Sequence, residues 1–188
     1  MENNSMTVMG GFKKVSREQF SKDFTKMAAK HSAISLPLTI LVDKMYDQIK
    51  LPERATRCSA GYDFFMPGCD DIVTVSLHNG ESVVIPTGIK CKLPQKFSLN
   101  LYPRSGLGFK YGLQLLNTVG IIDADYYNNP DNEGHIMIAI KVTNLPEGET
   151  LNIKSGDAFA QGIITPYFIF NNDSANGLRV GGMGSTSN

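Results

Sequence analysis

From Leu38 to Phe170 the chain is a succession of short apolar or alternating segments, each cut off within a few residues by Gly, Pro, Asn or Asp. The segments are Leu38–Val42, Tyr62–Phe65, Ile72–Leu77, Glu81–Pro86, Gly88–Lys92, Phe97–Tyr102, the central pair Leu115–Tyr127 and Gly134–Ile140, Glu149–Ile153 and Ala160–Phe170. Strands this short and this closely spaced, with no helical segment between them, predict a β-sandwich or barrel rather than a parallel sheet with crossover helices. One helix is expected ahead of them. Ser16 with Gln19 three residues on forms a capping box, Val15 and Phe20 are placed as a hydrophobic staple, and Phe20, Phe24, Met27 and Ala28 recur on one face. A lone short helix is marginal in water, so this face should pack on the main domain or on a neighbouring subunit. The expected organisation is an amino-terminal extension over 1–36 with a helix near 16–30, a β domain over 37–176, and a Gly/Ser-rich tail over 177–188. Residues 1–12 are polar and glycine-containing and are expected to be loosely attached.

Charge and cysteine usage narrow the partners. Eighteen basic and eighteen acidic residues in 188 cancel, so no global field draws the chain to a nucleic-acid polymer or an anionic membrane. A small anion held by a few local groups remains open. Cys58, Cys69 and Cys91 include no C-x-x-C pair, which suggests neither a disulfide framework nor a zinc site. Without a signal-peptide pattern or an apolar run long enough to span a bilayer, a cytoplasmic protein is expected.

Chemistry concentrates in three places. Within Leu115–Tyr127 an apolar run is interrupted by Asp123 and Asp125 and followed by Tyr126 and Tyr127. Carboxylates there are costly to bury without a partner or a job, although charge on an exposed edge strand also discourages aggregation. Pro103-Arg104-Ser105-Gly106-Leu107-Gly108 joins a fixed cation and a hydroxyl to a glycine-freed backbone, and Arg179 to Thr186 repeats that combination. Such loops are turns or phosphate cradles, and neither carries the Gly-Lys-Ser/Thr of a Walker loop.

Five segments in order resemble the five motifs of the homotrimeric dUTPase family: Ala55 to Asp63, Pro103 to Gly106, Asn117 to Tyr126, Gly156 to Gln161, and Gly182 to Thr186. The resemblance covers roughly residues 38–188 and leaves the amino-terminal helix unexplained. It implies a jelly-roll-like β protein that hydrolyses dUTP to dUMP and pyrophosphate, keeping uracil out of DNA, with Mg2+ as cofactor and active sites shared between three subunits. By the same resemblance Asp123 is the general base, and Asp63 helps hold the metal through water. Tyr126 packs beneath the deoxyribose, while Asn117 and the backbone at Gly120 and Ile122 read the uracil edge. Ser105 and Gln161 contact the phosphates, Arg104 braces the site, and Gly106 belongs to the same substrate-binding loop. Arg179, Met183, Gly184, Ser185 and Thr186 belong to a tail that closes over a neighbour's nucleotide.

Strict strand alternation would put Asp123 and Asp125 on one face and Tyr126 on the other, so a bend or bulge is required for Asp123 and Tyr126 to act together. Several positions depart from the family pattern. Met183 stands where an aromatic ring usually covers uracil, Arg179 is one residue closer to Gly182, Ala158 replaces a common arginine, Cys58 replaces a glycine, and the segment after Tyr126 is longer. Two rivals share the fold or the pocket. A dCTP deaminase would need a glutamate for proton transfer at the base, for which Glu133 is the candidate. A regulatory nucleotide-binding protein would use the amino-terminal helix to contact another protein.

Overall fold

The computed structural model describes residues 9–28, 38–69, 73–179 and 181–182. In chain order they form β1 (Gly11–Lys14), α1 (Arg17–Ala28), α2 (Leu38–Gln48), β2 (Tyr62–Phe65), β3 (Thr74–Leu77), β4 (Ser82–Pro86), β5 (Ile89–Lys92), β6 (Phe97–Pro103) and α3 (Ser105–Tyr111). There follow β7 (Gln114–Leu115), β8 (Gly120–Ile122), a 3-10 turn at Ala124–Tyr126, β9 (Met137–Lys141), β10 (Leu151–Lys154) and β11 (Ala158–Pro166). Every described strand pair is antiparallel. One sheet has the order β2-β11-β6-β8 and a second β4-β9-β7, while β1-β5 and β3-β10 form pairs. Sequence neighbours are thus dispersed among sheets, as in a jelly roll. Alternation explains the core: Ile138 and Ile140 of β9 point inward with Ile85 and Leu115, and Phe64, Leu99, Leu101, Ile122 and Phe159 bring the other sheet to the same cluster.

The helix α1 begins where its capping signals place it, with the Ser16 hydroxyl accepting the Gln19 backbone N–H at 3.1 Å. The reciprocal half of the capping box is replaced. Glu133 Oε2 accepts the Ser16 N–H at 3.0 Å, and the Gln19 side chain donates to Asp23 instead. Phe20 and Phe24 are fully buried against α2 and the sheets. Burying each contributes about 1.5–3 kcal/mol, enough to hold a helix that would be marginal alone.

Four expectations need correction. Leu38–Val42 is the start of α2 rather than a strand. Ile40 and Val42 favour strands intrinsically, but Leu41, Val42 and Met45 fall on one helical face and are buried there. Helix is also present between strands, because Ser105–Tyr111 forms α3. It ends at Gly112, whose left-handed φ of 62° lets its N–H close back on the Gly108 carbonyl. Gly11 and Phe12 are paired in β1 with Lys92 and Cys91 rather than loose. Finally, β11 stops at Pro166, leaving Tyr167, Phe168, Ile169 and Phe170 outside the sheet and exposed.

Candidate active site

The four-stranded sheet positions two separate groups of polar side chains at the two ends of β6. At its carboxyl end, Gln161 of β11 stands opposite Asp63 of β2 and Tyr102 of β6. The Gln161 amide donates to the Pro103 carbonyl at 3.1 Å, and the Arg104 Nε lies 3.2 Å from Asp63 Oδ1. Gly61 packs directly on the Gln161 side chain, an approach that any Cβ would obstruct. Arg104 is the extended residue just before α3, and Ser105 and Gly106 occupy its exposed first turn. Motif residues far apart in sequence therefore converge here.

At the other end, Ile122 pairs with Leu99, so Asp123 leaves the sheet level with Ser98. It precedes the 3-10 turn, in which the Tyr126 N–H donates to the Asp123 carbonyl at 3.1 Å. Roughly three residues per turn put positions 123 and 126 on the same side. This turn is the bend that the Asp123 and Tyr126 pairing requires. Asp123, Ala124 and Asp125 line a cleft of about 400 Å³ together with Leu93, Gln95 and Tyr167. Arg179 spans its rim, its Nη2 2.6 Å from Asp123 Oδ2, its Nε 2.9 Å from Asp125 Oδ1, and its guanidinium 5.6 Å from the centre of the Tyr126 ring. The two aspartate side chains are 45% and 58% exposed, so solvent screens these ion pairs and each contributes at most about 1 kcal/mol.

Tyr126 is buried, its hydroxyl donating to the His135 carbonyl at 2.9 Å and accepting from the Asn132 amide at 2.8 Å. Burial raises the phenol above its ordinary value, so it stays protonated and keeps that bond. Gly120 and Ile122 are buried in β8, whereas Asn117 is exposed in the tight turn before it, beside Thr118 with its left-handed φ of 65°. That turn carries the chain from β7 in one sheet to β8 in the other, and Asn117 and Asp123 flank β8 at opposite ends.

The predicted site residues thus fall into two clusters. Asp123, Tyr126 and Arg179 meet at one end, and Asp63, Arg104 and Gln161 at the other with Ser105 beside them. From the level of Ser98 to Pro103 is roughly 17 Å along the strand at about 3.3 Å per residue. Met183, Gly184, Ser185 and Thr186 lie outside the described residues. Sequence reasoning missed the double anchoring of Arg179, and it missed Leu93, Gln95 and Tyr167, which reach the cleft from strand ends and carry no chemical signature. It also missed Asp131, whose carboxylate accepts the Gly182 N–H at 3.2 Å. Among the described residues no cluster of three or more His, Cys, Asp or Glu could hold a metal, and no helix is long and apolar enough to cross a membrane. Glu133, the acid a deaminase would need, is engaged by the Ser16 N–H and by Lys90 at 3.0 Å.

Comparison with known proteins gives the family. The dUTPase family model matches residues 47–186. The deoxyuridine 5'-triphosphate nucleotidohydrolase of Lactococcus lactis subsp. lactis is 41% identical over 140 residues, covering 73% of this chain and 88% of that protein. Its counterpart in Desulfitobacterium hafniense (strain DSM 10664 / DCB-2) is 38% identical over 144 residues, with 73% and 87% coverage. Among solved structures, the dUTPase from Streptococcus mutans superposes with a TM-score of 0.59 at 28% identity, covering 86% of this chain and 99% of its own. A mutant dUTPase from phage phi11 of S. aureus, in which a structural Mg(II) ion is coordinated, gives 0.52 at 26% identity over 69% of this chain and 91% of its own. With five motifs in order, a jelly-roll-like core and relatives of this similarity, the chain belongs to the dUTPase family and is a dUTP diphosphatase.

Proposed function

We propose that Asp123 is the general base of this hydrolysis and that each complete site is built from more than one copy of the chain. The observation that carries the reading is the gathering of Tyr126 and Arg179 around the Asp123 cleft, with the phosphate-type cluster at the far end of the same sheet. A single chain separates the base from Arg104 and Ser105 by far more than a triphosphate's reach from its own α-phosphorus. Copies in a homotrimer bring the base end of one chain to the phosphate end of the next. The exposed Tyr167–Phe170 segment supplies apolar surface for such contacts.

In this site the Asp123 carboxylate accepts a proton from water as its oxygen attacks the α-phosphorus in line. The bond from that phosphorus to the α,β-bridging oxygen breaks, and pyrophosphate leaves with the electron pair. Arg104, Ser105, Gly106 and Gln161 donate to phosphate oxygens. Tyr126 forms the floor under the deoxyribose and leaves no room for a 2'-hydroxyl, which excludes UTP. Asn117 and the backbone at Gly120 and Ile122 read the uracil edge, where cytosine would leave polar groups unpaired.

The tail carries Arg179 to the β- and γ-phosphates, with Met183 over the base and Gly184, Ser185 and Thr186 closing on the phosphates. Arg179 must first let go of its own chain's Asp123 and Asp125, a release that screened ion pairs make inexpensive. The residues fit Mg2+ carried in by the triphosphate: Mg2+ keeps several waters, and Asp63, whose Oδ1 lies 3.2 Å from Arg104 Nε, would help hold the ion through those waters. When bound, the ion neutralises charge on the leaving pyrophosphate. The reaction is placed in the cytoplasm, in keeping with three cysteines that are all unpaired.

A nucleotide panel with Mg2+ tests the reading. Rapid pyrophosphate release from dUTP, with little from dCTP, dTTP or UTP, is expected. Ammonia release from dCTP would select deamination, and full activity of Asp123→Asn would remove the base assignment.

A further inference from the structure

The amino-terminal helix lies outside the span matched by the family model, yet it is bonded to the loop that holds Tyr126. His135 is completely buried at the end of that loop. Its Nε2 accepts the Gly88 backbone N–H at 2.7 Å, which leaves Nδ1 as the protonated nitrogen, and Nδ1 donates to Asp23 Oδ2 of α1 at 2.6 Å. The same carboxylate oxygen accepts from Gln19 at 2.7 Å. Burial pushes Asp23 upward, but the hydrogen bonds from His135 and Gln19 outweigh it and hold the carboxyl below its ordinary value, so the acceptor is ionised at neutral pH. With its ring fixed by two bonds, His135 presents its carbonyl to the Tyr126 hydroxyl at 2.9 Å.

The loop between them needs outside support. Asn128 and Glu133 both have φ of 58°, and Gly134 has φ of 77° with its α-carbon packed on the Tyr126 carbonyl, where a Cβ would come within 2.5 Å of the oxygen. A left-handed glutamate is strained and persists only where its surroundings hold it. Glu133 is held there by the Ser16 N–H at the start of α1 and by Lys90 of β5. The loop is also held by Lys90 Nζ on Asn128 Oδ1 at 2.8 Å and by the Gly182 N–H on Asp131, but the clamps at Glu133 and at His135 each include a residue of the amino-terminal extension.

We infer that Asp23, acting through His135, is a positioning residue for Tyr126, and that the amino-terminal helix thereby sets how strictly the enzyme distinguishes deoxyribose from ribose. The inference rests on the reading of Tyr126 as the floor beneath the sugar. Asp23 and His135 touch no substrate in it. A floor that must exclude a single hydroxyl has to be fixed to within a fraction of its bond lengths. The phenol is held by two hydrogen bonds, and one of their acceptors is only as fixed as the imidazole behind it.

The test compares kcat and KM for dUTP and UTP in the full chain, with folding followed by circular dichroism. Asp23→Ala is expected to narrow the dUTP-over-UTP ratio of kcat/KM about tenfold, chiefly through UTP gaining while kcat for dUTP is kept. Asp23→Asn retains a neutral acceptor and is expected to narrow it less, by about threefold, and it stands in should the alanine variant fail to fold. Tyr126→Phe removes the far end of the same relay, so its combination with either Asp23 variant should narrow the ratio no further than the larger single effect. Equal losses on both nucleotides, or multiplicative effects in the double variant, would overturn the relay. Tyr126→Ala separates the two layers. If it leaves the ratio unchanged, the sugar-floor reading is wrong. If it relaxes the ratio while both Asp23 variants do not, the floor stands and the relay is wrong.

Discussion

The two ends of β6 solve different problems. At the Arg104 end, sheet register does the positioning, because Asp63, Gln161 and Tyr102 are neighbours across paired strands, and Ser105 and Gly106 remain exposed. At the Asp123 end, register stops at Ile122, and a turn, a long loop and the returning tail take over, with Arg179 laid across both acids. The first end is set by strand register and open. The second is set by a turn and loops and spanned by Arg179. On the proposed roles, a register-set end would suit holding phosphates, which are alike in every nucleoside triphosphate, while the end built from a turn and loops would carry the groups that admit one sugar and free the Asp123 carboxylate from Arg179.

That contrast can be broken most directly at the base. Asp123→Asn should lower kcat by about a thousandfold in steady-state assays, with dUTP binding and Tm nearly unchanged, because the amide keeps the shape and loses the proton acceptor together with only a solvent-screened ion pair to Arg179. Next comes complementation. Arg104→Ala should cost about a hundredfold by itself through lost phosphate contacts. Coexpressed with Asp123→Asn in mixed trimers, it should restore about a quarter of parental activity, since random pairing joins two intact halves in one site in four. No recovery would place both halves of a working site on the same chain.

A smaller loss, about tenfold or more, is expected for truncation before Gly177, measured beside far-ultraviolet circular dichroism that should not change. An undiminished truncated enzyme would remove the tail from the mechanism. The smallest effect concerns acid stability. Asp23 and Glu133 both titrate below their ordinary values when folded, burial opposing and hydrogen bonds or Lys90 prevailing. Their stabilisation is therefore complete above the ordinary carboxylate range and lost as pH falls through the folded values. Asp23→Asn should flatten the decline in Tm over that acid window, with the parent and variant curves converging at its lower edge.

Much of this contrast was legible in the sequence, and its limits are physical. Ile136 to Ile140 announced a strand because one covered face imposes alternation, and Ser16 with Gln19 announced α1 because capping is local. Leu38–Val42 misled because β-branched residues favour strands, whereas burial of Leu41, Val42 and Met45 on one face decided for helix. Gly106 and Gly108 disfavour a helix, yet Leu107 and Tyr111 lie half-buried against the core and Gly112 closes the last turn of α3. At the site, motif order singles out Asp123 and Tyr126 as candidates, which alternation alone would put on opposite faces; the 3-10 turn that follows Asp123 supplies the bend. The pairing of Asp23 with His135 spans 112 positions, a separation at which no periodicity speaks.

Phe168 and Phe170 stand 94% and 86% exposed just past the last strand, with Ile169 between them. A polypeptide that keeps such greasy rings in water cannot linger as a solitary species without sticking to whatever it meets. In the proposed assembly neighbouring copies would cover these rings, so dissociation is expected to end in sticky, aggregating chains instead of soluble, inactive monomers.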